Sequence, residues 1–268
     1  MGTVASRTTR LANGVGLSYI DEGEPSGPLV VLLGGLTDSW RTFELVIPHL
    51  RASVRAIAVS ARGHGDSDKP ESGYRTADFA ADVALFLASL ELKKAVIVGH
   101  SSASFVARRF ALDNPTRTAG VVLESSPLTL RGNPTLERLV AALATMSDPL
   151  DPKFVSDFVA GTVKSVDPNF QSEMAAESGR VPLHVWRQAF EALLHDDDTA
   201  ELPAVGAPTL LIWGDRDSLV PREHQERLAS LIRSSRLATY AGVGHTPHWE
   251  APERFAADLV AFVRSLPG

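Results

Sequence analysis

Ser101 is the centre of Gly99-His100-Ser101-Ser102-Ala103, directly after the apolar run Ala95-Val96-Ile97-Val98 and ahead of a helix-like segment from Phe105 to Leu112. A strand that turns abruptly into a helix with serine at its apex is a nucleophile elbow. The apex residue is forced into strained backbone geometry, so its neighbours two positions either side must be small. Gly99 and Ala103 meet that need. The turn lifts the hydroxyl into a cleft and aims the unpaired N–H groups of the following helix at the same place.

A neutral serine hydroxyl is a poor nucleophile, so it needs a base, and the base needs a group to orient it. Among eight histidines, His245 is the candidate base. It lies in the Gly-rich stretch Ala241-Gly242-Val243-Gly244-His245 behind the final apolar β-type run. His248, three residues on, is its rival and is expected to pack beside the cleft. The candidate acid is Asp217, in Trp213-Gly214-Asp215-Arg216-Asp217, which gives the chain order serine, acid, histidine. Asp215 sits closer to the strand end and suits a turn cap. Glu124, which ends the run Val121-Val122-Leu123-Glu124, is the alternative acid, or else an anchor near the next connection.

Acyl transfer also needs donors for a developing oxyanion. The backbone N–H of Ser102 is one. The loop Gly34-Gly35-Leu36-Thr37 offers the other, at the Leu36 N–H, because glycines let backbone approach a ligand closely.

These residues require a scaffold that brings distant loops to one edge. Apolar runs at Leu29–Leu33, Arg55–Val59, Ala95–Val98, Gly120–Glu124, Thr209–Trp213 and Leu237–Tyr240 alternate with amphipathic segments. That alternation predicts an α/β fold, a mostly parallel sheet with helices on both faces. Val15–Asp21 reads as an antiparallel edge. Helices are expected over Trp40–Leu50, Thr76–Leu90, Ser102–Asp113, Arg222–Ile232 and Pro252–Leu266. Between Pro127 and Val205 the alternation stops. Four helix patterns follow one another there, each opened by proline: Pro134, Pro152, Pro168 and Pro182. Asn133, Asp151 and Asp167 precede three of them as N-caps. The expected organisation is a core of residues 1–127 and 206–268 with an all-helical cap of residues 128–205.

Bulk properties narrow the function. The 268 residues are 44% hydrophobic and 22% charged, with net charge −6 and no basic cluster, which argues against nucleic acid or an anionic membrane as partner. No cysteine is present, so thiol chemistry and disulfides are excluded. No apolar run approaches 18 residues, and a cytoplasmic location is expected. Met1-Gly2 through Ser6 match a myristoylation pattern without a supporting basic stretch, a chance match. No metal-ligand spacing occurs, and Asp196-Asp197-Asp198 reads as a solvated helix end.

Leu33-Gly34-Gly35-Leu36, Arg62-Gly63-His64-Gly65-Asp66-Ser67, Gly99–Ala103, Trp213–Asp217 and Gly244-His245 together resemble the motifs of the α/β-hydrolase superfamily, in its capped single-domain form. The resemblance spans Val15 to Leu266. It implies Ser101 as nucleophile, His245 as base and Asp217 as the usual acid, and a structural role for the Arg62–Ser67 turn. The chain departs at Gly34-Gly35, where many relatives carry His-Gly, and at Ser102-Ala103-Ser104, where a hydrophobic residue and two glycines are common. Within the superfamily it is similar to small microbial carboxylesterases and lactonases. Some lactone hydrolases of the fold use a glutamate where Glu124 stands. Dehalogenases and epoxide hydrolases of the fold use an aspartate nucleophile, and Ser101 cannot do that chemistry.

The expectation is therefore a serine hydrolase acting on a small-molecule ester or lactone through an acyl-enzyme, without cofactor or metal. Carbon–carbon bond hydrolysis and cofactor-free perhydrolysis use the same residues, and a small-molecule receptor retaining them is an alternative of another class. Gly35, Trp40, Met146, Phe154, Trp186, Phe190, Leu219 and His248 are the candidate substrate contacts.

Overall fold

The computed structural model describes residues 5–267; the Met1-Gly2 start of the acylation pattern lies outside them. Eight strands form one sheet: β1 (Arg7–Arg10), β2 (Gly16–Gly23), β3 (Leu29–Leu33), β4 (Arg55–Val59), β5 (Ala95–His100), β6 (Thr118–Glu124), β7 (Thr209–Gly214) and β8 (Ser235–Tyr240). Their order is β1-β2-β4-β3-β5-β6-β7-β8. The strands from β4 to β8 pair in parallel, while β2 joins β4 and β1 antiparallel.

The apolar runs are continuous because both faces of the sheet are covered. Side chains alternate across each strand. Val31, Leu33, Ile57, Ile97, Val121 and Leu211 meet helices Thr76–Ser89 and Ala103–Asp113 on one face. Val30, Leu32, Ala58, Val96, Val98 and Leu210 meet helix Pro252–Arg264 on the other. The Arg62–Ser67 turn is tied down at its start, where the buried Arg62 guanidinium bonds both carboxylate oxygens of Asp82 at 2.5 and 2.6 Å.

Two expectations about helices change. Trp40–Leu50 is not one helix; it divides into a 3-10 turn, Trp40–Phe43, and a short helix, Ile47–Leu50. Pro48 has no N–H to carry a helix across that point and favours a fresh start. Between β6 and β7 the chain forms Pro134–Thr145, Pro152–Ala160, Pro168–Gly179 and Leu183–Leu193, a four-helix insertion. Asn133, Asp151 and Asp167 accept N–H bonds from the first turns of their helices. Pro182 instead precedes the fourth helix in extended conformation. There the first-turn donor left without a cap, Leu183 N–H, is met by Asp148 Oδ1 at 2.9 Å.

Arg108 joins both ends of the insertion to the core. It is fully buried on helix Ala103–Asp113, against the Phe105 ring at 4.2 Å. Its guanidinium donates to Pro127 O at 3.0 Å and pairs with Asp198 Oδ1 at 3.0 Å. This corrects the reading of Asp196-Asp197-Asp198 as a solvated helix end: Asp198 neutralises a buried cation, and Asp196 accepts the Thr76 hydroxyl. Among the described residues no helix is long and apolar enough to cross a membrane, and no acidic or histidine cluster has metal-holding geometry.

Candidate active site

Ser101 caps the turn from β5 into helix Ala103–Asp113 with φ of 51°, a left-handed conformation that costs a non-glycine residue free energy. The turn is tight enough that a Cβ on Gly99 would lie 2.3 Å from Ala103 O. The Ser101 N–H bonds Glu124 O at 2.8 Å, so the neighbouring strand holds the apex in place.

His245 arrives from the loop after β8. This loop crosses the end of β7 so closely that a Cβ on Gly214 would meet the carbonyls of Val243 and Gly244 at 2.3 Å. His245 Nε2 lies 2.9 Å from Ser101 Oγ. Its Nδ1 lies 2.8 Å from Asp217 Oδ2, and since a carboxylate only accepts, Nδ1 carries the hydrogen. The other Asp217 oxygen accepts the N–H groups of Leu219 at 2.8 Å and Val220 at 2.9 Å. The Asp217 side chain is wholly buried. Ser101, His245 and Asp217 thus form one unbroken hydrogen-bonded line. Asp215 turns away to accept the Gly242 N–H at 2.7 Å.

Glu124 does not reach His245, which corrects its reading as an alternative acid. It is committed to the other histidine: Oε1 accepts both the His248 backbone N–H and Nδ1, each at 2.8 Å. His248 Nε2 meets Thr42 Oγ1 at 3.0 Å. Burial draws the His248 pKa below its ordinary value despite the nearby carboxylate. Burial would raise Glu124, but the histidines around it prevail and hold it low. His100 lies between the two loops, with Nε2 3.0 Å from His245 O and Nδ1 3.8 Å from Asp38 Oδ2. Burial opposes its charge, yet Asp38 and Glu124 outweigh that and raise its pKa.

The Gly34-Gly35 departure has a local explanation. Asp38 folds back so that Oδ2 accepts the Gly35 N–H at 3.0 Å, and its Cβ leaves no room for a side chain at position 34. The next amide, Leu36 N–H, donates to Ser102 Oγ at 2.8 Å. The Ser102 N–H makes no hydrogen bond to another described residue.

A cavity of about 400 Å³ opens in front of Ser101 and His245, between the strand ends and the insertion. Of the candidate contacts, Gly35, Phe190 and Leu219 line it. Trp40, Met146, Phe154, Trp186 and His248 do not. Trp186 is buried among Phe154, Phe158 and Phe190, Trp40 belongs to the core on the far face of the sheet, and His248 is fully enclosed. Met146 ends helix Pro134–Thr145, where its carbonyl accepts from Arg187 at 2.6 Å. Leu136, Leu139, Phe158 and Trp249 take their place on the wall. Phe158 shares a helix face with Phe154 at i, i+4 spacing, so the sequence signalled the face but not which ring reaches the cavity.

A family model described as the alpha/beta hydrolase fold matches residues 28–252. A non-heme chloroperoxidase from Streptomyces lividans is 31% identical, over 99% of this chain and 100% of that protein. A 2-(acetamidomethylene)succinate hydrolase from Mesorhizobium japonicum is 30% identical, over 89% of this chain and 88% of that one. Among solved structures, esterase RhEst1 from Rhodococcus sp. ECU1013 superposes with a TM-score of 0.86 at 26% identity, covering 98% of this chain and 99% of the other.

Proposed function

The chain belongs to the α/β-hydrolase fold family, and from that premise we propose that it is a serine hydrolase cleaving neutral carboxylic esters, lactones included, through an acyl-enzyme. The observation that carries this reading is the line Ser101 Oγ, His245 Nε2, His245 Nδ1, Asp217 Oδ2, with links of 2.9 and 2.8 Å, opening on the cavity under the insertion. Ser101 attacks the carbonyl carbon as its proton passes to His245 Nε2. The buried Asp217 carboxylate stabilises the imidazolium that forms. His245 returns the proton to the leaving alcohol, and water then clears the acyl group by the same route reversed. The four-helix insertion acts as the cap that shapes the substrate pocket.

The cavity wall supports a neutral substrate. It includes the acidic residue Asp38 and, among the described residues, no lysine or arginine; Asp157 also lines it, with its carboxylate paired to Lys153 outside. A substrate carboxylate there would lose water without gaining a lysine or arginine partner, since His100, the wall histidine whose pKa is raised, is already turned to Asp38 and the His245 carbonyl. Leu36, Leu139, Phe158 and Phe190 favour an apolar acyl or alcohol group instead. On this ground a succinate, the substrate in the Mesorhizobium protein's name, fits poorly.

The test is fluorophosphonate labelling together with turnover of p-nitrophenyl hexanoate, beside the p-nitrophenyl monoester of adipic acid. Wild-type protein is expected to label and to turn over the neutral ester at least about 100-fold more efficiently, and Ser101→Ala to do neither. Equal rates on both esters would remove the substrate assignment; an unlabelled wild type would remove the reaction. The resemblance to a chloroperoxidase favours a second reading, in which hydrogen peroxide in place of water takes the acyl group from Ser101 and leaves as a peracid. Peracid formation from acetate ester and peroxide distinguishes it.

A further inference from the structure

We infer that the Ser102 hydroxyl is itself an oxyanion donor, with the Leu36 amide behind it as its polarising partner. The inference rests on the acyl-transfer reading above. An amide has one hydrogen to give, and Leu36 gives its own to Ser102 Oγ at 2.8 Å. The Ser102 O–H makes no bond to any described acceptor, its side chain is nearly buried, and it borders the cavity beside Ser101. A hydroxyl that already accepts a hydrogen bond becomes a better donor through its own hydrogen. One residue therefore has two donors to offer an oxygen bound beside Ser101, its unpaired backbone N–H and its O–H. The residue type matters: a hydrophobic side chain at this position would leave Leu36 N–H to face the substrate directly.

The chemistry balances without moving a proton from Ser102. As the Ser101 Oγ–carbon bond forms, the carbonyl π pair moves onto oxygen and the Ser101 proton goes to His245. The negative oxygen accepts the N–H and O–H of Ser102. When it collapses, the carbonyl reforms, the leaving alcohol takes the proton from His245, and Ser102 keeps its hydrogen throughout.

The opposite arrangement, in which Ser102 Oγ only occupies the Leu36 amide and must swing aside, predicts the opposite kinetics. If the hydroxyl donates, Ser102→Ala lowers kcat on p-nitrophenyl butyrate by about 10- to 100-fold, less than loss of a donor outright because the freed amide substitutes in part. KM changes by less than about threefold, since the interaction belongs to the transition state. Ser102→Thr, which keeps the hydroxyl, restores kcat to within about threefold, and affinity for a trifluoromethyl ketone inhibitor falls in Ser102→Ala by the same factor as kcat/KM. A Ser102→Ala rate at or above wild type overturns the inference while leaving the esterase reading intact. Equal losses in the Ala and Thr variants also overturn it, because that marks a packing role. Wild-type protein that neither labels with fluorophosphonate nor turns over the ester overturns both.

Discussion

Replacing Asp217 by asparagine isolates the proton line with almost no change of shape. Oδ1 of Asp217 already accepts two backbone N–H groups, from Leu219 and Val220, while Oδ2 accepts one from His245. An asparagine must therefore place its oxygen towards the two backbone donors, since the flipped amide would set its NH2 against both. Its NH2 then faces His245 Nδ1, which must become an acceptor and push the ring hydrogen onto Nε2. That hydrogen points at Ser101 Oγ, 2.9 Å away, and the ring can no longer take the serine proton. A wrong tautomer of this kind costs about 10⁴-fold in kcat, or about 5 kcal/mol of transition-state stabilisation. The companion variant Glu124→Gln behaves differently. Its amide oxygen takes over the two His248 donors, and its NH2 occupies the place of Oε2, which has no partner. The loss should be one of stability, about 1–3 kcal/mol for an unsatisfied buried group, or roughly 2–4 °C of Tm per kcal/mol, with kcat within about tenfold of wild type. Ester turnover and thermal unfolding of both variants decide it. Asp217→Asn retaining kcat within tenfold, with Glu124→Gln losing a thousandfold, would refute the reasoning.

Fold stability should peak near pH 6.5. Burial lowers the pKa of His64 and His248, so below that pH the unfolded chain binds at least two protons the folded state refuses, and stability falls as acid is added. His100 is shifted upward, so above pH 6.5 the folded state holds a proton the unfolded chain has lost, and stability falls again as pH rises through the folded pKa. Each proton changes stability by about 1.4 kcal/mol per pH unit, and because burial lowers His224 as well, the acid limb should be the steeper of the two. Urea unfolding between pH 5 and 8.5 reads this, and a monotonic rise across that range would contradict it. Gly99→Ala should cost about 3 kcal/mol or more because the new methyl meets a carbonyl that cannot retreat. Unchanged Tm and unchanged fluorophosphonate labelling would show the elbow to be slacker than its geometry.

The parallel strands were legible because burial on both faces writes them as apolar runs; Leu29–Leu33 and Arg55–Val59 match to the residue. β1 was not, since Arg7-Thr8-Thr9-Arg10 is an exposed edge whose only instruction is its partner β2. Ser101, His245 and Asp217 could be picked out singly because each follows a strand, in an order the fold constrains. Glu124 and His248 stood out too, but only as rivals of those residues. Their pairing with each other joins positions 124 residues apart and left no local mark. The pocket aromatics were illegible for another reason: Phe154, Phe158, Trp186 and Phe190 are one mutual cluster, and small rotations decide which of them meets solvent space.

Arg108 limits how the insertion can move against the core. The stems that leave β6 and return to β7 are fastened to the same guanidinium, about two helical turns beyond Ser101. Swinging the whole insertion outward would strip a buried cation of its partners, at a cost of about 3–5 kcal/mol. The roof of the chamber is therefore riveted at its base, which leaves any widening of the cavity to its far part near Phe158 and to the core loop that carries the exposed Leu219.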